Sequence, residues 1–328
     1  MQTYTRRSFS TIVAAGAAAL VDPGVAFAQD AWPARPIKLV VPFPPGGGTD
    51  VLARMLAERL RPLLGQAVVI ENKPGATGNI GNDFVAKSTD NHTILIQGTI
   101  TGMGPHLFTK LTYDPLKDIL AIGTIAESAN ILVVAPDSPW QTLQDLVRAA
   151  KADPGKPLAY GTAGIASPQH LAVEQLARLS GIKVQHITYR GTSPAVTDVL
   201  GGQTSFGAFS LSSMLPLIQG NKLRVLATLT EKRTALLPNV PSMSELGFKG
   251  VDSSIRFAFF VPAGMPQHAV ARLVAANNTA LADPTLREAF LKAGYEIILA
   301  TTQQAQAMLL REYTVWGPIV KELGLKGE

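Results

Sequence analysis

From residue 37 almost to the C-terminus, short β-branched and apolar runs alternate with segments of helical periodicity, and this alternation restricts the fold more than any other feature. The series begins IKLVV (37–41), DVLARMLAERLRPLL (50–64), AVVIE (67–71), a helical stretch over 79–87 and TILIQ (93–97). It continues with ILVVA (131–135), a helix over 142–151, PLAY (157–160), a helix over 168–179, VQHIT (184–188), a helix over 194–200 and LRVLATL (223–229). Such a series predicts an α/β fold. Near Ser253 the texture changes, because SIRFAFFV (254–261) is followed by three helical segments with few strands between them. These last helices are expected to pack back on the first half. The predicted lobes are residues 29–130 with 251–328, and residues 131–250, joined by more than one crossing and therefore by a hinge.

The first 28 residues read as an address and not as structure. A basic start (Arg6, Arg7), an apolar stretch from Thr11 to Val21 and the small-x-small end Ala26-Phe27-Ala28 are the parts of a secretory signal peptide, with cleavage expected after Ala28. TRRSF (5–9) fits the twin-arginine export motif in part and an ordinary signal peptide equally well. No other stretch is long and apolar enough for a membrane-spanning helix. The chain has no cysteine, which removes thiolate metal sites and cysteine nucleophiles and leaves stability to burial. Its formal charge of +5 is spread without a long basic run, which argues against nucleic acid and mildly favours small anions. No metal or cofactor is expected.

Two loops have the geometry that binds anions in open α/β sheets, where strand ends feed helix N-termini with free N–H groups. In VPFPPGGGTD (41–50) the prolines stiffen the entry, Gly46, Gly47 and Gly48 permit close backbone approach, and Thr49 or Asp50 is a candidate cap. A tight turn into a capped helix would use some of the same residues. No lysine and hydroxyl follow as a nucleotide-phosphate loop requires, so a carboxylate suits the site better. YGTAGIASPQH (160–170) repeats the logic, with hydroxyls at Thr162 and Ser167 before a helix that opens on Pro168.

RPIKLVVPFPPGGGTDVLARMLAERL, VVIENKPGATGNIGNDFVAK, YGTAGIASPQHLA, ITYRGTSPAVTDVLGGQ and LPNVPSMSELG, in this order, resemble the tripartite tricarboxylate transporter substrate-binding family, also called Bordetella uptake gene receptors. The resemblance runs from about Trp32 to the C-terminal helices. It implies a periplasmic, two-lobed Venus-flytrap receptor of type II with a mixed sheet in each lobe, working as a monomer with a membrane permease. It also implies that the loops at 43–49 and 161–167 hold a small organic carboxylate through backbone N–H groups and ordered waters. That places Phe43, Gly46, Gly47, Gly48 and Thr49 on one side of the ligand, and Thr162, Gly164, Ala166 and Ser167 on the other.

Two positions depart from the family pattern. Phe209 stands where many relatives carry an acid, and reads either as a flat wall for a ring or as a core phenylalanine. Arg256 stands where tryptophan is usual, and its planar fork would hold either a ligand's distal carboxylate or a protein acid. Together they tilt the expectation towards a dicarboxylate, aromatic ones of the phthalate and terephthalate type included. His170 either lines the cleft or packs as a neutral core side chain, and Asn79 opens a further helix facing the cleft or only caps it. The rival classes are a ligand-sensing partner of a signalling receptor and an exported enzyme. For the enzyme the chain offers no G-x-S-x-G elbow, no H-E-x-x-H and only five scattered histidines.

Overall fold

The computed structural model describes residues 32–189 and 191–326, so the expected export signal lies outside the described residues. The strands are β1 (Ile37–Val41), β2 (Val68–Asn72), β3 (Thr93–Gly98), β4 (Ile119–Ser128), β5 (Asn130–Val134), β6 (Leu158–Thr162), β7 (Val184–Thr188), β8 (Phe206–Ser210), β9 (Arg224–Thr228), β10 (Ile255–Pro262) and β11 (Glu296–Ile297). The helices are α1 (Gly48–Leu64), α2 (Asn79–Ala86), α3 (Gly104–Leu107), α4 (Leu143–Ala152), α5 (Pro168–Ser180), α6 (Thr192–Leu200), α7 (Leu211–Gln219), α8 (Gln267–Ala282), α9 (Pro284–Lys292) and α10 (Thr302–Glu322). None of them is long and apolar enough to cross a membrane.

The strands form two sheets, ordered β11-β4-β10-β3-β1-β2 and β7-β6-β8-β5-β9. Both are mixed, as expected. In the first, β1 runs parallel to β2 and β3, while β10 is antiparallel to β3 and β4. In the second, β6 is parallel to β7 and β8, while β5 is antiparallel to β8 and β9.

Each sheet is covered on both faces, which is why its inner strands read as near-continuous apolar runs. Leu52, Leu56 and Leu60 of α1 and Leu273 of α8 cover one face of the first sheet, and Val85 of α2 and Leu309 of α10 pack on the other. In the second sheet, Leu146 of α4 and Val173 of α5 cover one face, and Val199 of α6 and Leu215 of α7 the other.

The chain passes between the sheets at two adjacent places. One is the step from Ser128 to Asn130, and the other is the return from β9 to β10, where the Ser253 N–H donates to the Leu229 carbonyl at 2.9 Å. Buried Asn130 ties the two crossings together, because its side-chain amide donates to the Ser253 carbonyl.

β4 and α7, with the short α3 and β11, escape the sequence reading. β4 lacks alternation because it is buried on both faces and is interrupted by Gly123, and α7 carries Pro216 inside a serine-rich helix.

Candidate functional site

The loop from β1 to α1 is held from behind. Asp50, 2% exposed, accepts from the Gly46 N–H at 2.9 Å, from Arg54 at 2.8 and 3.0 Å and from Asn72 at 2.9 Å. Asn72 also donates to the Phe43 carbonyl at 3.0 Å. Burial alone would raise the Asp50 carboxyl, but the hydrogen bonds from Arg54, Gly46 and Asn72 outweigh it and hold the group below the usual carboxylate range. Asp50 is thus a clasp behind the loop and not the helix cap expected of Thr49 or Asp50.

The cap position belongs to Gly47, which has no side chain to give, and the first bond of α1 runs from Val51 N–H to the Gly47 carbonyl. Among the described residues no acceptor meets the N–H groups of Gly48, Thr49 or Asp50. Those donors remain open, at the positive end of a 17-residue helix.

On the second sheet's side, α6 begins in the same way. Its cap is Gly191 with φ at 112°, a conformation that suits glycine, and there is again no side-chain cap. The N–H groups of Thr192 and Ser193 have no acceptor among the described residues, and Pro194 has no N–H to offer. α7 begins beside it with a chain of hydroxyls. Ser210 Oγ lies 2.9 Å from Ser128 Oγ and 2.8 Å from Ser212 Oγ. A Cβ added to Gly48 would meet the Tyr295 hydroxyl at 2.8 Å and Ser212 Oγ at 3.7 Å, so the starts of α1 and α7 lie close together. Burial raises the Tyr295 hydroxyl pKa, and a hydrogen bond with Ser212 opposes it.

These segments line one cleft of about 1060 Å³. Phe43, Gly46, Gly47, Gly48 and Thr49 are in its wall, as are Gly191 to Ser193, Ser210, Ser212, Ser213 and Tyr295. Among its described lining residues no side chain is charged. Among the described residues, a small anion would meet neutral donors only.

The second predicted loop behaves differently. Thr162 is fully buried, donates to the Gly164 carbonyl at 3.0 Å and lies 2.7 Å from His186 Nε2. Ser167 caps α5 by accepting from the His170 N–H at 3.2 Å, and the Ala166 N–H donates to His170 Nδ1 at 2.9 Å. Ala166 packs against Met103, Leu171 and Trp316. Thr162, Gly164, Ala166, Ser167 and His170 therefore do not line the cleft. They support it, since the Gly191 N–H donates to the Ala163 carbonyl at 3.2 Å. His170 packs as a core side chain, stacked on His186 with ring centroids 3.8 Å apart. Burial, and then the neighbouring His186, push His170 down to about 3, while burial takes His186 down to about 4. Both rings are neutral at ordinary pH.

Three further candidates also lie elsewhere. Phe209, 1% exposed, faces Ile131, Val133 and Val199 in the core under α6 and α7, so it offers no wall to a ligand. On β10, Ile255 and Phe257 face the cleft, so the strand's alternation turns Arg256 to the other side. There it pairs with Asp252 at 2.8 Å, Glu127 at 3.5 Å and Glu312 at 3.9 Å, beside a separate cavity of about 340 Å³. Asn79 donates to the Ala76 carbonyl and accepts from the Tyr113 hydroxyl, both at 2.8 Å, and belongs to another surface pocket. Among the described residues no group of histidine, aspartate and glutamate is arranged to hold a metal.

The sequence reading misses Gln169, Gly191 to Ser193, the serines of α7 and Tyr295. The signal was present in RGTSPAV, where a strand end, a glycine and two hydroxyls precede a helix, as in the first loop.

In sequence and fold the chain is similar to known proteins. The model of the tripartite tricarboxylate transporter family receptor matches residues 52–325. Protein BugT of Bordetella pertussis is 35% identical over 300 residues, covering 90% of this chain and 92% of that one. The R. palustris protein Rpa4515, solved with adipate, is 30% identical and superposes with a TM-score of 0.81 over 90% of this chain and 99% of its own. MatC from Rhodopseudomonas palustris, with bound malate, is 26% identical with a TM-score of 0.77 over 88% and 99%.

Proposed function

The chain belongs to the tripartite tricarboxylate transporter receptor family, whose members are periplasmic solute-binding proteins, and we propose that its solute is a small organic carboxylate handed on to a membrane permease. The observation that carries this reading is the pair of uncapped helix starts, α1 from one sheet and α6 from the other, at a cleft with no charged lining side chain among the described residues. A carboxylate between them would draw on N–H groups and helix dipoles from both lobes at once. Lobe closure would then follow, because the ligand's contacts are complete only in the closed state.

Dicarboxylates are the favoured class. The adipate and malate seen in relatives support it. Phe43, Phe257 and Tyr295 in the cleft wall leave aromatic dicarboxylates in the set, on different residues from Phe209. Arg256 is read here as structural, with residues 29–130 and 251–328 closing against 131–250.

The test is calorimetry with aliphatic and aromatic mono- and dicarboxylates and amino acids, on the wild type and Arg256→Met. Tight, unconsumed carboxylate binding that survives the substitution would support the reading. Loss of binding in Arg256→Met would return the distal clamp to that arginine, and turnover of the acid would make the protein an enzyme.

A further inference from the structure

The cleft is not uniformly polar. α6 presents Thr192, Ser193, Val196, Thr197 and Leu200 to it, one helix face whose polarity falls away from the N-terminus. Leu217 of α7 extends the apolar part, and Val51 of α1 faces it from the other lobe. Leu200 and Val51 remain 41% and 39% exposed, so large apolar surface stands uncovered inside a binding cleft.

The helix is also a ruler. From the Gly48 and Thr49 donors a ligand must extend about one turn, 5.4 Å, to cover Val51, and from the Thr192 and Ser193 donors about two turns to cover Leu200. Methylene or ring carbons placed there leave water for an apolar surface. A hydroxyl or a further carboxylate placed against Leu200 and Val51 would lose hydration to an apolar surface.

On the reading that the cleft takes a carboxylate, we propose that this chain selects acids with an apolar body long enough to span roughly one to two helical turns, an aliphatic chain or a single ring. It discriminates against short hydroxy acids and tricarboxylates. Val51 and Leu200 are the specificity-determining residues, and the far end of the ligand, charged or not, points to the solvent at the mouth.

Calorimetry at pH 7 with adipate, terephthalate, malate and citrate tests this, on the wild type, Leu200→Ser and the near-isosteric Val51→Thr, each with its fold checked by melting. The expected result is adipate or terephthalate bound about tenfold or more tightly than malate and citrate, with each variant weakening the preferred acid by about three- to tenfold and moving malate less than about twofold. Malate or citrate bound as tightly as adipate and terephthalate, or variants that weaken all the acids alike, would overturn the selectivity and leave the carboxylate reading standing. Binding of none of the four would overturn both.

Discussion

The loops 43–49 and 161–167 look alike in sequence, each a strand end rich in glycine and hydroxyls before a helix, yet the helices that follow them start differently. The first is clasped from behind by Asp50, and its helix starts at a glycine, so the N–H groups of Gly48 and Thr49 stay open. The second ties down part of its backbone, with Ser167 capping α5 and Ala166 bonded to His170. A side-chain cap takes up one of the orphan N–H groups that a helix start without a cap leaves open. The second lobe's open start lies at Gly191, resting on the loop that had seemed to be the site.

The largest effect expected is one of pH, and it separates the loops. His170 and His186 have folded pKa values of about 3 and about 4, below the ordinary value near 6.5. The unfolded chain therefore binds more protons across that window. Stability from the pair is complete above about pH 6.5 and is lost as pH falls towards 4, on the order of 3 kcal/mol between pH 7 and pH 5. Urea unfolding at the two pH values should show this loss, reduced in His186→Asn. Asp50, held below the usual carboxylate range, keeps its charge throughout, so the first loop should stay ordered.

Asp50→Ala removes the clasp behind the first loop. It should cost about 2–3 kcal/mol in urea unfolding and weaken carboxylate binding together with stability. A variant that binds as the wild type does would mean that the loop needs no clasp.

Gly191→Ala meets no steric obstacle, since nothing lies within 4 Å of the added Cβ, but φ at 112° is strained for alanine. The expected cost is about 1–2 kcal/mol, with affinity down about tenfold as the α6 donors turn away. Ser167→Ala is the counterpart in the second loop. It should lose about 1 kcal/mol of stability and leave affinity within about twofold. Equal losses of affinity in the two variants would erase the distinction between the loops.

Much of the fold was legible because apolar runs and helical periods alternate cleanly, and PFPPGGG announces its loop by residues that few other structures would tolerate. The second half of the site was harder to read. Placing the start of α6 at Pro194 hid Thr192 and Ser193, which are its first residues. Proline is at ease anywhere in a helix's first turn and so marks the start only loosely. Phe209 and Arg256 turn on parity. A strand sends neighbours to opposite faces, and nothing in SIRFAFF says which face meets the cleft until β10 is paired between β3 and β4. Tyr295 comes from the turn between α9 and β11 and reaches Gly48 only through the folded chain.

The most direct measurement is a crystal structure with bound adipate. One carboxylate is expected to accept from N–H groups of Gly48 or Thr49 in one lobe and of Thr192 or Ser193 in the other, with Arg256 still held by Asp252. A carboxylate seated on Arg256, or on the backbone of residues 163–167, would contradict it.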